Sequence, residues 1–230
     1  LERKHTDREY DRELDTLREQ ILLMGAKVEE MVKNALLAFE TRNVELARQT
    51  IAMDRQIDLL EIDIDEMCIK VLARRQPVAS DLRFVMMTFK HVTDLERIGD
   101  LGVNMCERVL ELGERVVLRD AAAAVVRMGS VAQQMLHDAL DAFVASDAHK
   151  AQEVIRRDQQ VDNYYAQLFP ELVTSMMQDP SLVSQATKLQ SLGKYIERVA
   201  DHATNLAEMV VYMVNGQDVR HHAAEANREN

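Results

Sequence analysis

The feature that most constrains this chain is a repeat. Thr93-Asp-Leu-Glu-Arg-Ile-Gly-Asp-Leu-Gly-Val-Asn104 returns as Lys194-Tyr-Ile-Glu-Arg-Val-Ala-Asp-His-Ala-Thr-Asn205, and both copies read Glu-Arg-x-x-Asp-x-x-x-Asn. Upstream, Met31–Asp58 aligns with Met135–Asp162 at an offset of 104. Met31, Ala35, Ala38, Phe39, Ala47, Ile51, Asp54, Gln56 and Asp58 then meet Met135, Ala139, Ala142, Phe143, Ala151, Ile155, Asp158, Gln160 and Asp162. The third segments align at 101, so the loop before the second copy is three residues shorter. Identities this numerous and in this order mean duplication, so the chain has to fold as one unit made twice.

Helices are the expected material of that unit. Seven Gly and three Pro in 230 residues, with 13 Met, leave long stretches without a breaker. The first segment carries Leu14, Leu17, Ile21, Met24, Val28, Met31 and Ala35 at three- and four-residue steps from about Tyr10 to Thr41. Asn43 suits the N-cap of a second helix with Ile57, Leu60, Ile64, Met67 and Val71 on one line, and Pro77 ends it. Ser80 is expected to cap a third helix running to Gly113. After a polar joint near 114–120 a fourth helix runs to Ala145, Asp147 caps a fifth, and Asp179-Pro180-Ser181 opens a sixth that stops at Asn215-Gly216. Pro170 inside the fifth predicts a kink or a short interruption. The expected fold class is therefore all-α: two tandem homologous three-helix bundles of six long helices, each of roughly 30 residues and about 45 Å. The first bundle is expected over 1–116, the second over 117–216, and a polar, frayed tail over 217–230.

A formal charge of −11 argues against nucleic acid or an anionic membrane surface as a nonspecific partner. No apolar run approaches the ~18 residues of a membrane span, and the first residues lack the apolar stretch of a signal peptide. Cys68 and Cys106 lie in helical patterns without metal or redox spacing, and are expected to be reduced, packed thiols of a cytoplasmic protein.

The chemistry lies in the acidic lines. Successive residues turn by about 100° on a helix, so Glu96, Asp100, Asn104 and Glu107 share one face, as do Glu197, Asp201, Asn205 and Glu208. Leu95, Ile98, Leu101, Met105 and Val109 point the other way, as do Ile196, Val199, Ala203, Leu206 and Val210, so the acids line the outside of each bundle. The second helix adds Asp54, Asp58, Glu61 and Asp65; the fifth keeps Asp158 and Asp162 but has Tyr165 in place of Glu61. Carboxylates gathered in this way raise one another's pKa and cost stability, unless hard cations such as Mg²⁺, Ca²⁺ or Mn²⁺, or carboxylate-bridged Fe or Zn, sit among them. The candidate metal residues are thus Asp54, Asp58, Glu61, Glu96, Asp100, Asn104, Asp158, Asp162, Glu197, Asp201 and Asn205. A merely solvated acidic face, partly neutralised by Arg97 or Arg198, is the competing reading and stays open at this point. A carboxylate-bridged metal oxidase would need His ligands and core-facing acids; His202 points off the acidic face, and His5, His91, His137 and His149 read as surface or capping residues. His221-His222 sits in the polar tail, where it would bind metal only adventitiously. No phosphate loop, nucleophile elbow or Ser/His/Asp arrangement points to catalysis.

Pro77-Val-Ala-Ser-Asp-Leu-Arg83, Asp94-Leu-Glu-Arg-Ile-Gly-Asp100, Tyr195-Ile-Glu-Arg-Val-Ala-Asp-His202 and the ending Asn215-Gly-Gln-Asp-Val-Arg220, with Asp11-Arg-Glu-Leu-Asp-Thr-Leu and Met24-Gly25 near the start, together resemble the PhoU family of phosphate-signalling regulators. The resemblance spans nearly the whole chain. It implies two similar three-helix bundles with multinuclear surface metal clusters on (E/D)xxxD motifs, which fall here at Asp54/Asp58, Glu96/Asp100, Asp158/Asp162 and Glu197/Asp201, with Asn104 and Asn205 as additional ligands. It implies Fe, Zn, Mn or Mg as cofactor and no enzymatic activity. It also implies a homodimeric, cytoplasmic adaptor, peripheral to the membrane, between the ATPase subunit of a phosphate ABC transporter and a sensor histidine kinase, holding phosphate signalling and uptake in check. A helical interaction bundle without functional metal is the alternative.

Overall fold

The computed structural model describes residues 8–113 and 116–216. Its elements are α1 (Arg8–Thr41), α2 (Val44–Ile51), α3 (Asp54–Arg75), α4 (Ala79–Leu112), α5 (Arg119–Ala145), α6 (Ala148–Gln178) and α7 (Val183–Asn215), the last entered through a single 3₁₀ turn, Pro180–Leu182. Among the described residues there is no strand, so the chain is all-α. The helices α1, α2–α3 and α4 pack as one bundle and α5, α6 and α7 as the other. The expected tail at 217–230, with His221 and His222, and His5 near the start lie outside the described residues.

Local chemistry accounts for most of the boundaries. The Asn43 side chain accepts from the Leu46 amide at 2.9 Å, and Asp147 accepts from the amides of His149 and Lys150, each at 3.0 Å, which caps α2 and α6 as expected. Gly113 and Gly216 end α4 and α7 at φ of 68° and 69°, where a side chain would be strained. Three expectations are corrected. Ser80 does not cap α4: the helix already begins at Ala79 without a side-chain cap, and the Ser80 hydroxyl lies 3.4 Å from Asp81 instead. Of the kink or interruption expected at Pro170, the interruption is absent: α6 stays helical through this residue, which lies on an exposed face. The second helix is the one that breaks, at Ala52-Met53, with neither Gly nor Pro present. There the Thr50 hydroxyl donates back to the Leu46 carbonyl at 2.8 Å, and the Met53 amide tightens onto the Thr50 carbonyl at 3.0 Å; such back-bonding bends helices. The break leaves Asp54 as the first residue of α3, where the helix dipole favours a negative charge.

The apolar lines read from the sequence are buried. Leu17, Ile21, Met24, Val28 and Met31 of α1 and Leu95, Ile98 and Met105 of α4 are fully enclosed, and one continuous apolar core runs through both bundles. Both cysteines are buried free thiols, and burial pushes each up to about 12, so neither is a ready nucleophile. The histidines differ from expectation at one position. His91 is buried against the Phe143 ring, 4.7 Å between centres, with Nδ1–H donating to the Met87 carbonyl at 3.0 Å. Burial lowers its pKa to about 4, so it stays neutral in the core.

The bundles join along α1 against α5 and α4 against α7. At the first seam, a Cβ on Gly129 would lie 2.3 Å from Leu36 Cδ2, and one on Gly25 would lie 2.7 Å from Leu140 Cδ2. Gly25 to Gly129 and Leu36 to Leu140 are both steps of 104, so the two leucine–glycine contacts are one contact repeated by the duplication. Two histidine–carboxylate contacts bracket the joint: His137 Nδ1 to Glu29 at 2.9 Å and His202 Nδ1 to Asp94 at 2.7 Å. Gly129→Leu should therefore destabilise the protein by about 2 kcal/mol in urea unfolding, through overpacking, although helix propensity alone would make it stabilising. An unchanged or higher midpoint would mean the seam is not close-packed there.

Candidate metal centre

The outer face of the first bundle joins α3 and α4. Asp54, Asp58, Glu61 and Asp65 come from α3, and Glu96 and Asp100 from α4. The pattern of electrostatic coupling shows that the two lines face each other. Asp54 is raised above its ordinary value first by burial, then by Asp58 and by Asp100 across the groove. Glu61 is raised by burial, then by Asp65, Asp58 and Asp100. Burial raises Glu96 as well, followed by Asp100, Glu61 and Asp58, with only Arg97 opposing; Asp65 is raised by burial. None of these six carboxylates accepts a side-chain hydrogen bond or joins an ion pair among the described residues. Asn104 turns its amide NH₂ back onto the Asp100 carbonyl at 2.9 Å, which holds the side chain one turn beyond the acids.

The second groove, between α6 and α7, has the same frame but a different balance. Asp158 is pushed up to about 6, first by burial and then by Asp162 and Asp201. Asp201 is raised by burial and by Glu197, and lowered by Lys194. Here the groove holds a cation of its own. Lys194 pairs with Glu197 three residues on, and its ammonium lies 5.6 Å from the centre of the Tyr165 ring. Tyr165 is in turn packed over Gly193, where a Cβ would approach the ring to 3.3 Å. The position equivalent to Lys194 in the first copy is Thr93, 101 residues earlier, so the first groove has no such counter-charge. The spacing of Lys194 before Glu197 was a readable signal in the sequence, and it is a better neutraliser than Arg198, which stays exposed. Asn205 is placed differently from expectation: its NH₂ reaches Asp94 of the first bundle at 3.3 Å and so faces the joint between bundles.

Among the described residues, no three His, Cys, Asp or Glu side chains already stand together as a ready ligand set. The grooves are concentrations of oxygen donors, and an ion would have to draw them in. In the first groove the residues fit a hard cation well: six carboxylates that, among the described residues, accept no side-chain hydrogen bond and join no ion pair. In the second they fit less well while Lys194 holds Glu197.

The fold and both repeats match proteins already known. The PhoU domain family matches residues 21–109 and 125–210, once for each bundle. The chain belongs to the PhoU family. Relatives include the phosphate-specific transport system accessory protein PhoU homolog of Pseudomonas aeruginosa PAO1, 41% identical over 94% of this chain and 90% of that protein. Another is the phosphate-specific transport system accessory protein PhoU of Escherichia coli K12, 35% identical over 95% of this chain and 90% of that protein. Among solved structures, the crystal structure of PhoU from Pseudomonas aeruginosa superposes with a TM-score of 0.88 at 40% identity, covering 91% of this chain and all of that one. The phosphate transport system regulatory protein PhoU from Streptococcus pneumoniae superposes at 0.83 with 32% identity, covering 92% and 99%. One matched segment falls within each half of the duplication. No helix among the described residues is long and apolar enough to cross a membrane.

Proposed function

We propose that the protein is a non-enzymatic negative regulator of phosphate uptake and signalling, accessory to a phosphate transport system, and that it works as a metal-bound adaptor. Membership of the PhoU family and the transport-accessory role named for its relatives support the same role here. The observation that carries the metal reading is the first groove: six carboxylates on facing helices, several with raised pKa, and no partner among the described residues. Asp54, Asp58, Glu61, Glu96 and Asp100, with Asn104 one turn on, would hold Fe, Zn, Mn or Mg there; Asp158, Asp162, Glu197 and Asp201 would form a smaller second site. A bound cation supplies charge neutralisation. The chain itself supplies stiff helices whose relative placement that neutralisation fixes, and these faces meet the transporter's ATPase subunit and a sensor histidine kinase. The adaptor is cytoplasmic and homodimeric, reaching the membrane only through its partners.

The reading is tested by capturing the two partners with wild-type protein and with Glu96→Gln/Asp100→Asn, measuring metal content in the same samples. Wild type should retain both partners and metal, and the double variant should lose metal and at least one partner. Partner capture that persists undiminished in a metal-free variant would leave the accessory role standing but remove the cation from it. The Lys194–Glu197 pair specifically favours a second reading for the second groove, a structural ion pair that needs no metal.

A further inference from the structure

The C-terminal end of α1 and the first turns of α5 border an open cavity of about 400 Å³ whose charge runs against that of the chain. Arg42, Arg119 and Arg127 line it, with Glu40 as the one carboxylate on its wall among the described residues, in a protein of net charge −11. None of the three arginines forms an ion pair with any described residue, Glu40 included. Among the described lining residues the cavity therefore carries a surplus of two positive charges.

Arg42 is fixed in place. Its backbone is in the left-handed region at φ 58°, because the Asn43 amide returns to the Ala38 carbonyl at 3.0 Å and closes the helix end. Its guanidinium carbon rests 4.5 Å from the centre of the Phe39 ring. In that position Nη1 is cut off from solvent and has no hydrogen-bond partner. A buried donor left without a partner is costly, more so when charged, and burial lowers the pKa of Arg42. An anion in the cavity would relieve that cost by drawing the guanidinium round until Nη1 opens onto it.

We propose that this cavity binds a phosphorylated small molecule, with Arg42, Arg119 and Arg127 taking the phosphoryl oxygens. Guanidinium forks match tetrahedral oxyanions in geometry, and a surplus of two charges selects a group carrying about −2, as a phosphoryl group does near neutral pH. Val116, Ala122 and Val126 give the cavity an apolar wall, and its volume lies within the range of small-molecule sites, about 300–1,000 Å³. It leaves room for a second phosphoryl group or an organic portion. The site uses none of the acidic residues of the two grooves, so it stands or falls independently of the metal reading.

Calorimetric titration of chelator-treated full-length protein with pyrophosphate, ADP, inorganic phosphate and succinate tests it, the chelator removing any route through metal in the grooves. One saturable site is expected for pyrophosphate or ADP, weakening as salt rises. Tighter binding of ADP would identify an organic portion in the ligand, and equal binding a purely inorganic one. Arg42→Gln, Arg119→Gln and Arg127→Gln should each weaken it by roughly tenfold, and Glu40→Gln should tighten it. Arg119 is exposed in the first turn of α5, so its variant tests the site even if Arg42→Gln disturbs the end of α1. Arg156→Gln, an equal loss of charge on α6, should change nothing. Absence of saturable binding by both phosphorylated probes, equal binding of succinate, or an equal loss in Arg156→Gln would overturn the proposal.

Discussion

Asp158→Asn should stabilise the metal-free protein at pH 7 by about 1–2 kcal/mol, an unusual result for replacing a partly buried charged residue. The carboxyl of Asp158 has a folded pKa of about 6 against an ordinary value of 3.8. Between those values the folded state holds a proton that the unfolded chain has released. Stability therefore falls as pH rises through this window, and the loss is complete above the folded pKa. A displacement of about two pH units corresponds to roughly 3 kcal/mol, of which the carboxyl's residual solvation and the imperfect mimicry by an amide remove part. At pH 4 wild type is already protonated at this site, so the variant should match it. Urea unfolding with chelator present at both pH values reads the difference directly. A variant no more stable than wild type at pH 7 would show that Asp158 is comfortably solvated and that its groove stores no repulsion. With a divalent cation added, the order should reverse, since the variant has lost a ligand.

The sequence carried the fold because duplication and helical periodicity act together. Leu95, Ile98 and Met105 could only face inward once Glu96 and Asp100 faced out, and the structure buries them in that way. Contacts between bundles were not legible. Gly25 and Gly129 read as ordinary helical positions, and only the three-dimensional seam shows each as a slot for the leucine of the other copy. The break at Ala52-Met53 was hidden for a different reason. No breaker residue marks it, and the Thr50 back-bond that accompanies it is a local competition that periodicity does not register.

At the acidic grooves, spacing placed the carboxylates on the right faces but said nothing of what stood among them. Lys194 was visible three residues before Glu197, and its absence from the first copy, where Thr93 stands, was equally visible. What spacing lacked was the weight of that one difference, because a lysine at such a position is as readily solvated as paired. His91 shows the converse. It sits four residues before Leu95 on the apolar line, and its position on that line outweighs its polarity because the Met87 carbonyl satisfies Nδ1 within the same helix.

The asymmetry between the grooves leads to the largest expected effect. Addition of Mn²⁺ to chelator-treated protein should raise Tm through the first groove, and Glu96→Gln/Asp100→Asn should abolish most of that rise. A ligand at about one hundred times its Kd stabilises by roughly 2.7 kcal/mol, which for a chain of this size corresponds to about 5–10 °C. Without metal the double variant should instead melt above wild type, because it removes the cost of burying the Glu96 charge and, with it, part of the repulsion among Glu96, Asp100 and Glu61. This crossover separates ligands from ordinary stabilising residues, whose removal lowers Tm under both conditions. Asp162→Asn/Asp201→Asn should show a smaller crossover, since Lys194 already neutralises Glu197. Lys194→Thr, which installs the residue that Thr93 supplies in the first copy, should enlarge the metal response of the second groove toward that of the first. If Mn²⁺, Zn²⁺ and Fe²⁺ each leave the Tm of wild type unchanged, the acids of both grooves are solvated faces, and the stiffness of the bundles comes from the apolar core alone.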